Sequence, residues 1–428
     1  MLILIHIKNY EVNKVRIWLI TIGEPLPIDS ANDRLHRSGM LANLLASKGH
    51  EVVWWTSTFD HARKKQRFNI DTSIEINDCF TIRLLHSIKY KKNMSINRII
   101  NHQEIAHKFS KLARLESQPD IILCSFPTIE LSLAATKYGK EKNVPVVIDV
   151  RDLWPDIIVD LFPKKIRWFV KAALFVFFKN TRKVFRECTS IIGVSDGYLQ
   201  WGLSYAGRKR NIKDAVFPLC YRKPIVTDNQ IKDAKFALRN IGVDSSKIIC
   251  WFVGMFGKTY NLSTVIDAAH QLDKKGINNV QFVLSGDGEN YSKWFKQAQG
   301  LSNVVFTGWV DFPQIAYLMS TTDIGLAAYA EGAPQGLPNK IFEYLCAGVP
   351  ILSSLKGETE TLLSSNRCGL TYNANDTEDF LEKFFILIND EELRKKMGSN
   401  STFLFKSHYS IGKVYAHMVN FLEGIAKS

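Results

Sequence analysis

The stretch GLPNKIFEYLCAGVPILSS, residues 336–354, decides the fold. Pro338 suits the first turn of a helix, where a missing N–H costs nothing, and the apolar run VPILSS at 349–354 has the length of a buried strand. The run TDIGLAAY at 322–329 predicts another buried strand, which a Gly/Pro-rich loop joins to the helix. Such strand–loop–helix junctions, at the carboxyl ends of parallel strands, are where open α/β sheets bind ligands.

Lys340 and Glu343 lie three residues apart on one face of this helix. One interpretation is an exposed ion pair that contributes a few tenths of a kcal/mol. The other is ligand binding, because Asn339 and Lys340 lie near the unpaired N–H groups of a helix N-terminus, where an anion is favoured. The position at a strand–loop–helix junction favours the second interpretation.

The composition is that of an ordinary globular protein with room for two domains. The chain has 428 residues, of which 46% are hydrophobic and 23% charged, which excludes disordered and fibrous classes. The seven cysteines are scattered and form no C-x-x-C pair, so we expect neither a zinc site nor a disulfide framework. We also expect the protein to lie in a reducing compartment. MLILIHI at the start is too short for a secretory signal, and no apolar run reaches the roughly 18 residues that span a bilayer.

The positive charge is concentrated in one half of the chain. Residues 1–224 hold 36 Lys and Arg against 21 Asp and Glu, whereas residues 225–428 hold 19 against 21. We therefore expect the first half to face an anionic partner, which could be a nucleic acid, a phosphorylated substrate or a membrane surface.

Short apolar runs alternate with helix-length stretches along both halves, which is the rhythm of parallel βα units. This pattern predicts an α/β protein of two doubly wound, Rossmann-like domains, 1–222 and 223–407, with a linker near 218–228 where the periodicity is lost. The C-terminal helix, about 408–428, is a candidate to pack back on the first domain. The strand predictions cover 14–21, 51–56, 120–125, 144–150 and 189–195 in the first half and 247–254, 279–285, 303–308, 322–329 and 349–354 in the second.

The loops that follow three strands of the second half carry residues suited to a nucleotide diphosphate. Glycines allow backbone N–H groups to approach phosphate oxygens, lysines supply positive charge, and a carboxylate one turn into a helix can accept both ribose hydroxyls. The candidate donor-binding residues are Gly254, Gly257, Lys258, Gly286, Asp287, Gly288, Pro338, Asn339, Lys340 and Glu343.

These motifs resemble the nucleotide-sugar-binding domain of the family 4 retaining glycosyltransferases, which have the GT-B fold of two Rossmann-like domains facing across a cleft. The run TIGEPLPIDSANDRLHRSGMLANLLASKGHEVVWWTSTFDH at 21–61 is similar to the N-terminal domain of that family. Within the family the resemblance is closest to bacterial members that build surface polysaccharides such as O-antigen or capsule.

The resemblance implies roles for individual residues. Glu343 would hold the ribose, Lys340 and the amides beside it would take the diphosphate, and Gly23 would lie near the transferred sugar. The family usually has two glutamates separated by seven residues, but Gln335 stands in the first place. Gln335 can bond a sugar hydroxyl, although it cannot supply negative charge to a developing oxocarbenium ion.

Two further positions also depart from the family. It commonly carries an Arg and a Lys in the 254–261 loop, where Met255 and Tyr260 stand, and Lys258 could substitute for one of them. Lysines and helix amides can stabilise a departing diphosphate without metal, and no Asp-x-Asp motif stands in a suitable loop, so we expect neither a metal site nor a cofactor. Retention at the anomeric carbon is implied by the resemblance alone.

The segment IDVRDLWPD at 148–156 supplies candidates for the acceptor side. Asp149 or Asp152 could orient or deprotonate the acceptor hydroxyl, and Arg151 could bind the acceptor. The alternative is that Arg151 and an aspartate form a structural ion pair near a helix start.

A basic and aromatic stretch follows. Between Leu161 and Arg186 the chain has eight Lys and Arg and no Asp or Glu, around the apolar core IRWFVKAALFVFF. This pattern favours a helix on an anionic membrane surface, with a buried helix as the alternative. Nucleic acid is not expected, because no recognisable module interleaves aromatics with cations.

The sequence therefore predicts a glycosyltransferase that moves a sugar from an NDP-sugar, most simply UDP-linked, to a polyprenyl-phosphate-linked glycan in surface polysaccharide synthesis. We expect it in the cytoplasm, peripheral on the inner face of the cell membrane. Two alternatives stay open: a nucleotide-sugar 2-epimerase-type enzyme on the same fold, and a non-catalytic subunit, the latter motivated by Gln335 and Met255.

Overall fold

A computed structural model describes residues 14–29, 35–93 and 95–427, so the N-terminal extension at 1–13 lies outside the described residues. The strands are β1 Arg16–Ile20, β2 Glu51–Ser57, β3 Phe59–Asp60, β4 Lys65–Gln66, β5 Thr72–Asn77, β6 Phe80–Leu85, β7 Ile121–Phe126, β8 Val146–Val150, β9 Ser190–Gly193, β10 Ala215–Val216, β11 Ile248–Val253, β12 Val280–Ser285, β13 Val304–Gly308, β14 Ile324–Ala327, β15 Ile351–Ser353 and β16 Gly369–Thr371.

The α-helices are α1 Arg37–Ser47, α2 Ile96–Leu112, α3 Ile129–Lys142, α4 Asp156–Asp160, α5 Arg167–Ala173, α6 Phe175–Glu187, α7 Asp196–Ala206, α8 Asp228–Asn240, α9 Ser263–Lys274, α10 Tyr291–Gln297, α11 Phe312–Thr321, α12 Asn339–Ala347, α13 Glu358–Ser365, α14 Thr377–Asn389, α15 Glu391–Leu404 and α16 Ile411–Ala426. A 3₁₀ turn at Lys164–Ile166 precedes α5, and a π-helical turn at Phe405–Tyr409 precedes α16.

The first compact unit contains the described residues up to Phe217 and those from Tyr415 onward. Its sheet has the order β10-β9-β8-β7-β1-β2-β6-β5, in which only β5 runs antiparallel to its neighbour. The inner strands are almost entirely apolar, because helices cover both faces of a parallel sheet. Trp18, Trp55, Phe109 and Tyr138 pack their rings together in this core.

The second compact unit, Pro218–Val414, has a fully parallel sheet of order β13-β12-β11-β14-β15-β16. The strand order reverses between β11 and β12 on one side and β14 on the other, so the loops after β11, β12 and β14 meet near the switch point. The candidate donor loops of the sequence analysis are these three loops.

Two doubly wound units are therefore confirmed, and each of the ten predicted strands contains an observed strand or overlaps it within a residue. The chain passes between the units at Phe217/Pro218, slightly before the predicted boundary, and the C-terminal helix α16 returns to the first unit from Tyr415 onward as proposed. The antiparallel pair β5 and β6 was not predicted, because its alternating buried and exposed pattern lacks a long apolar run.

Candidate active site

Two glycine-bearing loops of the second unit are joined by backbone hydrogen bonds. In the loop after β11, the Phe256 amide donates to the carbonyl of Asp287 at 2.8 Å, and the Asn290 amide donates back to the Phe256 carbonyl at 3.0 Å. The Gly254 amide donates to the Ser285 carbonyl at 3.0 Å. The loops at 254–258 and 286–290 therefore form one rigid wall.

Glycine is required at two places in this wall. Gly286 has φ +142°, and a Cβ there would lie 1.9 Å from the carbonyl oxygen of Gly254. Gly288 has φ +153°, and its Cβ would lie 2.9 Å from the backbone of Phe256. Gly257 differs, because a Cβ there would meet open space. Gly286 and Gly288 allow the backbones of the two loops to come into contact, whereas Gly257 leaves the space beside these loops open because it has no side chain.

Lys340 is the most unusual residue of the second unit. It is only 4% exposed, and its ammonium lies 3.9 Å from the ring centre of Phe252 and 5.1 Å from that of Tyr260. The position of a Cβ on Gly254 would be 2.9 Å from Lys340 Nζ, so this glycine leaves room for the cation. Among the described residues, no hydrogen-bond acceptor or carboxylate lies within bonding distance of Nζ.

The charge on Lys340 is only partly compensated by the protein. Burial lowers the pKa of its ammonium to about 7, and the carboxylate of Glu343 opposes that shift. Aromatic rings attract a cation but offer no full hydrogen bond. A buried ammonium whose three donors lack protein acceptors is suited to an anionic ligand.

Helix α12 is fixed beneath this site by a buried tyrosine. The Tyr344 hydroxyl lies 2.9 Å from the Trp251 carbonyl and 3.0 Å from the Leu326 carbonyl, which links α12 to β11 and β14. Pro338 is the N-cap residue, so α12 begins at Asn339, and no side chain caps its first amides. Lys340 and Glu343 are thereby held at the carboxyl ends of the strands.

The other predicted donor residues are placed as follows. Glu343 is half-buried, and the Gln335 Oε1 atom is buried without a hydrogen-bond partner. Lys258 and Asp287 are exposed. The backbone amide of Lys258 donates to the Glu289 carboxylate at 3.1 Å, which fixes the loop and leaves its ammonium at the surface.

Asp149 in the first unit has a structural role, which corrects its assignment as a candidate base. It is fully buried, and its carboxylate accepts from Arg37 Nε at 2.8 Å and from Arg151 Nε at 2.7 Å. Although burial opposes the effect, these two arginines hold the pKa of the Asp149 carboxyl below its usual range. Arg151 also pairs with Glu24. Arg151 is thus held in a buried network, as in the ion-pair alternative, and is not presented to an acceptor.

Asp152 remains a candidate for acceptor activation. Burial raises the pKa of its carboxyl, against the Leu153 amide that donates to it at 2.7 Å. Among the described residues it forms no ion pair within 4 Å, whereas Asp149 forms two. A carboxylate with a raised pKa and no cationic partner is suited to proton transfer.

His61 is a candidate that the sequence analysis quoted without assigning a role. Its Nδ1 lies 2.6 Å from the Tyr90 hydroxyl and 3.4 Å from Lys64 Nζ. Burial lowers the pKa of the imidazole to about 4, and the charges of Lys64 and Arg98 add to that effect. Gly23 has φ +85°, and a Cβ there would lie 3.5 Å from His61 Cβ. The available signal was the position of His61 in the loop region that follows β2, directly after the two-residue strand β3.

The basic and aromatic stretch is an exposed corner of two helices, and the buried-helix alternative is wrong. No residue of α5 is buried, and Trp168, Phe169 and Phe175 are 62%, 58% and 60% exposed. Phe178, the last residue of the run IRWFVKAALFVFF, differs from them, because it is buried at 8% exposure. We call residues 161–176 and the exposed cations up to Arg186 the α5–α6 corner.

The described part of the chain has neither a membrane-spanning helix nor a metal-binding cluster. None of its helices combines the length and apolar character needed to cross a membrane. Within 14–29, 35–93 and 95–427, no group of three or more His, Cys, Asp or Glu side chains is arranged to hold a metal ion.

Comparison with known proteins identifies related chains. Residues 233–402 match the family model described as glycosyl transferases group 1. The chain is 22% identical over 306 residues, 70% of its length and 75% of the relative's, to a Campylobacter jejuni protein named GalNAc-alpha-(1->4)-GalNAc-alpha-(1->3)-diNAcBac-PP-undecaprenol alpha-1,4-N-acetyl-D-galactosaminyltransferase.

Solved structures share the fold over the whole chain. Sucrose-phosphate synthase from Thermosynechococcus elongatus superimposes with a TM-score of 0.70 at 16% identity, covering 97% of this chain and 100% of that one. Anabaena HepE, solved in complex with UDP and glucose, gives a TM-score of 0.64 at 14% identity, covering 96% and 100%. The predicted GT-B fold and glycosyltransferase class are confirmed.

Proposed function

We propose that this glycosyltransferase moves a sugar from an NDP-sugar, with UDP as the nucleotide, to a lipid-linked glycan acceptor. The observation that carries the donor half is Lys340 at the ends of β11 and β14, a buried ammonium that has no acceptor among the residues that the structure describes. The solved complex of the similar Anabaena protein with UDP supports the choice of nucleotide. From the resemblance to the family 4 retaining enzymes, we also propose that transfer retains the anomeric configuration.

Each donor residue has a distinct task in this proposal. Glu343 accepts hydrogen bonds from the ribose hydroxyls, and Lys340 with the first amides of α12 binds the diphosphate. As the sugar–phosphate bond breaks, negative charge grows on the diphosphate, and these preorganised donors stabilise it. The unpaired Gln335 Oε1 accepts a hydrogen bond from a sugar hydroxyl.

The residues proposed to act on the acceptor belong to the first unit. Asp152 takes the proton of the attacking hydroxyl, and His61, with Nδ1 engaged by Tyr90, offers its Nε2–H to an acceptor oxygen. The Campylobacter relative is named for a PP-undecaprenol-linked substrate, which supports an acceptor carried on a polyprenyl diphosphate. We place the reaction in bacterial surface polysaccharide synthesis.

The α5–α6 corner supports attachment to a membrane. Exposed Trp168, Phe169 and Phe175 can insert at the headgroup boundary, while seven exposed cations meet anionic lipid. The cations are Lys164, Lys165, Lys171, Lys179, Arg182, Lys183 and Arg186. We propose that the protein works at the inner face of the cell membrane, where its acceptor is held.

The test combines a binding and a transfer measurement. The purified protein is incubated with NDP-sugars and lipid-linked glycans, and the products are identified by mass spectrometry. Glu343→Ala should weaken UDP binding in calorimetry by about 1.5–3 kcal/mol, as expected for a charge-assisted hydrogen bond, and should abolish most transfer. Glu360→Ala is the control, because this side chain is 40% exposed on α13. Unchanged UDP affinity in the Glu343 variant would refute the donor assignment.

A further inference from the structure

The first unit contains an apolar cavity of about 280 Å³ beside the α5–α6 corner. Its walls come from α2, the start of α3, the segment around Trp154 and the junction of α5 with α6. The apolar lining includes Ile96, Ile99, Ile129, Trp154, Leu174 and Phe177. A cavity of this size is at the lower limit for a small-molecule ligand, so it suits a short length of hydrocarbon better than a glycan.

The cavity is continuous in sequence with the exposed apolar surface. Leu174 and Phe177 line it, while the neighbouring Phe175 and Val176 are exposed on the same turn of chain. Ile96, another lining residue, is also largely exposed. The exposed apolar surface therefore reaches the cavity lining at Leu174, Phe177 and Ile96, while the polar part of the lining consists of Asn93, Ser95, Arg98, His102 and Glu130.

One end of the cavity carries a cation that lacks an ionic partner. Arg98 lines the cavity, its guanidinium lies 5.0 Å from the ring centre of Trp154, and its Nε is buried without a hydrogen-bond partner. Its side chain donates a hydrogen bond to the carbonyl of Asn93 at 2.9 Å, and no carboxylate of the described chain lies within 4 Å.

A second cation lies beside Arg98. Lys64 Nζ donates to Asn93 Oδ1 at 2.6 Å, and Lys64 has a left-handed φ of +56°. For a lysine this backbone conformation is uncommon and is typical of functional positions. The charges of Lys64 and Arg98 both act on His61, and Arg98 also acts on Asp152. The cationic end of the cavity is thus the end nearest the proposed acceptor residues.

We propose that this cavity binds the first isoprene units of the polyprenyl acceptor, with Arg98 and Lys64 binding the phosphate attached to them. The apolar walls match the hydrocarbon, and the unpaired guanidinium matches the anion. This inference rests on the proposed function, because it names the part of the acceptor that the first unit recognises. With the phosphate bound at Arg98, the acceptor sugar attached to it extends toward His61 and Asp152.

The test uses cavity filling with a matched control on the same helix. Ile99→Trp places a larger side chain in the cavity, whereas Ile100→Trp places one on α2 outside its lining. The probe is farnesyl phosphate, titrated by calorimetry with and without UDP, since a probe in the nucleotide site would be displaced. Ile99→Trp should weaken binding by about tenfold or more, because that factor corresponds to about two unburied methylene groups.

Further variants separate the parts of the proposal. Arg98→Gln should weaken farnesyl phosphate but not farnesol, and Ile100→Trp should change neither. Equal binding of dodecyl phosphate would overturn the isoprenoid assignment in favour of an ordinary lipid chain. Unchanged binding in a folded Ile99→Trp variant would overturn the site itself.

A transfer assay distinguishes failure of this inference from failure of the proposed function. With a polyprenyl-linked acceptor, Ile99→Trp should lower kcat/KM by about tenfold or more, whereas with the same glycan diphosphate on a methyl group it should not. Equal loss on both acceptors would show a structural defect and overturn the inference. If the parent protein transfers to neither acceptor, the proposed function fails, and the farnesyl phosphate titration still decides whether the cavity is an isoprenoid site.

Discussion

At the scale of single residues, burial separates groups that hold the fold from groups that can act on a ligand. In the first unit the Asp149 carboxylate and the Arg151 guanidinium form an ion pair, so the burial of these residues does not indicate a catalytic role. Lys340 and Asp152 are also sheltered, but within the described part of the chain Lys340 has no hydrogen-bond acceptor and Asp152 has no cationic partner within 4 Å. Unsatisfied burial costs free energy, so it marks the residues whose partner is expected to come from outside the chain.

Nucleotide affinity should depend on pH through Lys340. Its pKa is about 7 in the free protein, and a bound diphosphate would raise it, so binding above pH 7 takes up a proton. Affinity should therefore be greatest below pH 7 and fall as the pH rises to 9, by at most about tenfold per unit. Calorimetry of UDP binding in buffers of different ionisation enthalpy measures the uptake directly.

The control for this experiment is Lys356→Met, an exposed lysine of the same unit. Lys340→Met should bind UDP weakly and show no proton uptake between pH 7 and 9. A parent protein whose UDP affinity is flat over that range would contradict the contact between Lys340 and the diphosphate.

The two aspartates after β8 should respond differently to substitution. Asp149→Ala leaves Arg37 and Arg151 without their shared carboxylate, so the free energy of unfolding should fall by about 3–5 kcal/mol. Asp152→Asn should keep its stability and lower kcat by about 100-fold or more, as for loss of a general base. Denaturant titration and initial rates measure the two effects, and full activity in a stable Asp152→Asn variant would exclude it as the base.

At the scale of elements, the candidate donor residues lie at the ends of short parallel strands. In the first unit, an interrupted helix forms the exposed α5–α6 corner. The loops after β11 and β12 meet because Gly286 and Gly288 allow backbone contact, and Tyr344 fixes α12 against two strands. The basic and aromatic stretch between Leu161 and Arg186, predicted as one helix, is instead a 3₁₀ turn, α5 and α6, with a break at Leu174. That break exposes Phe175 and lets Leu174 line a cavity.

The α5–α6 corner should bind anionic membranes through its cations. Changing Lys164, Lys165, Arg182 and Lys183 to Gln should reduce sedimentation with phosphatidylglycerol vesicles, because each cation near the surface is worth about 1 kcal/mol. High salt should weaken the parent in the same way. The Gln variant should retain its affinity for UDP.

A charge-matched control changes Lys232, Lys235, Lys293 and Lys296, four exposed lysines of the second unit, to Gln. This control should sediment like the parent. Replacing Trp168 and Phe169 by Ser should remove the attachment that survives high salt. Equal sedimentation of all these variants would contradict a membrane role for the corner.

At the scale of the whole molecule, the two halves of the chain differ in charge. The excess of cations lies in the first 224 residues, which contain the α5–α6 corner and the cavity, whereas the donor loops lie in the nearly neutral second half. The last helix, α16, begins in the second unit and ends in the first. Within the first unit it is anchored by a 2.8 Å contact between Glu423 and His50.

Transfer by the whole protein should not need a divalent metal, since lysines and helix amides meet the diphosphate charge in the proposed mechanism. The measurement is the initial rate of sugar transfer in excess EDTA, compared with the rate in Mg²⁺ or Mn²⁺. The expected rates agree within about twofold. A complete loss in EDTA that either metal restores would refute metal independence.

The sequence alone determined the fold class, ten of the strands and the candidate donor loops, because these depend on local periodicity and on glycine and proline at strand ends. Only the tertiary structure decided which buried polar residues have a hydrogen-bond or ion-pair partner within the protein. Asp149 and Asp152 look equivalent in the sequence, yet Arg37, more than a hundred residues away, pairs with the first and not with the second. The cavity behind Leu174 was likewise unpredictable, since segments distant in sequence form its walls. The periodicity of the sequence indicates on which face of its helix or strand a residue lies. Which residues it contacts depends on the packing between elements, and only the tertiary structure shows that packing.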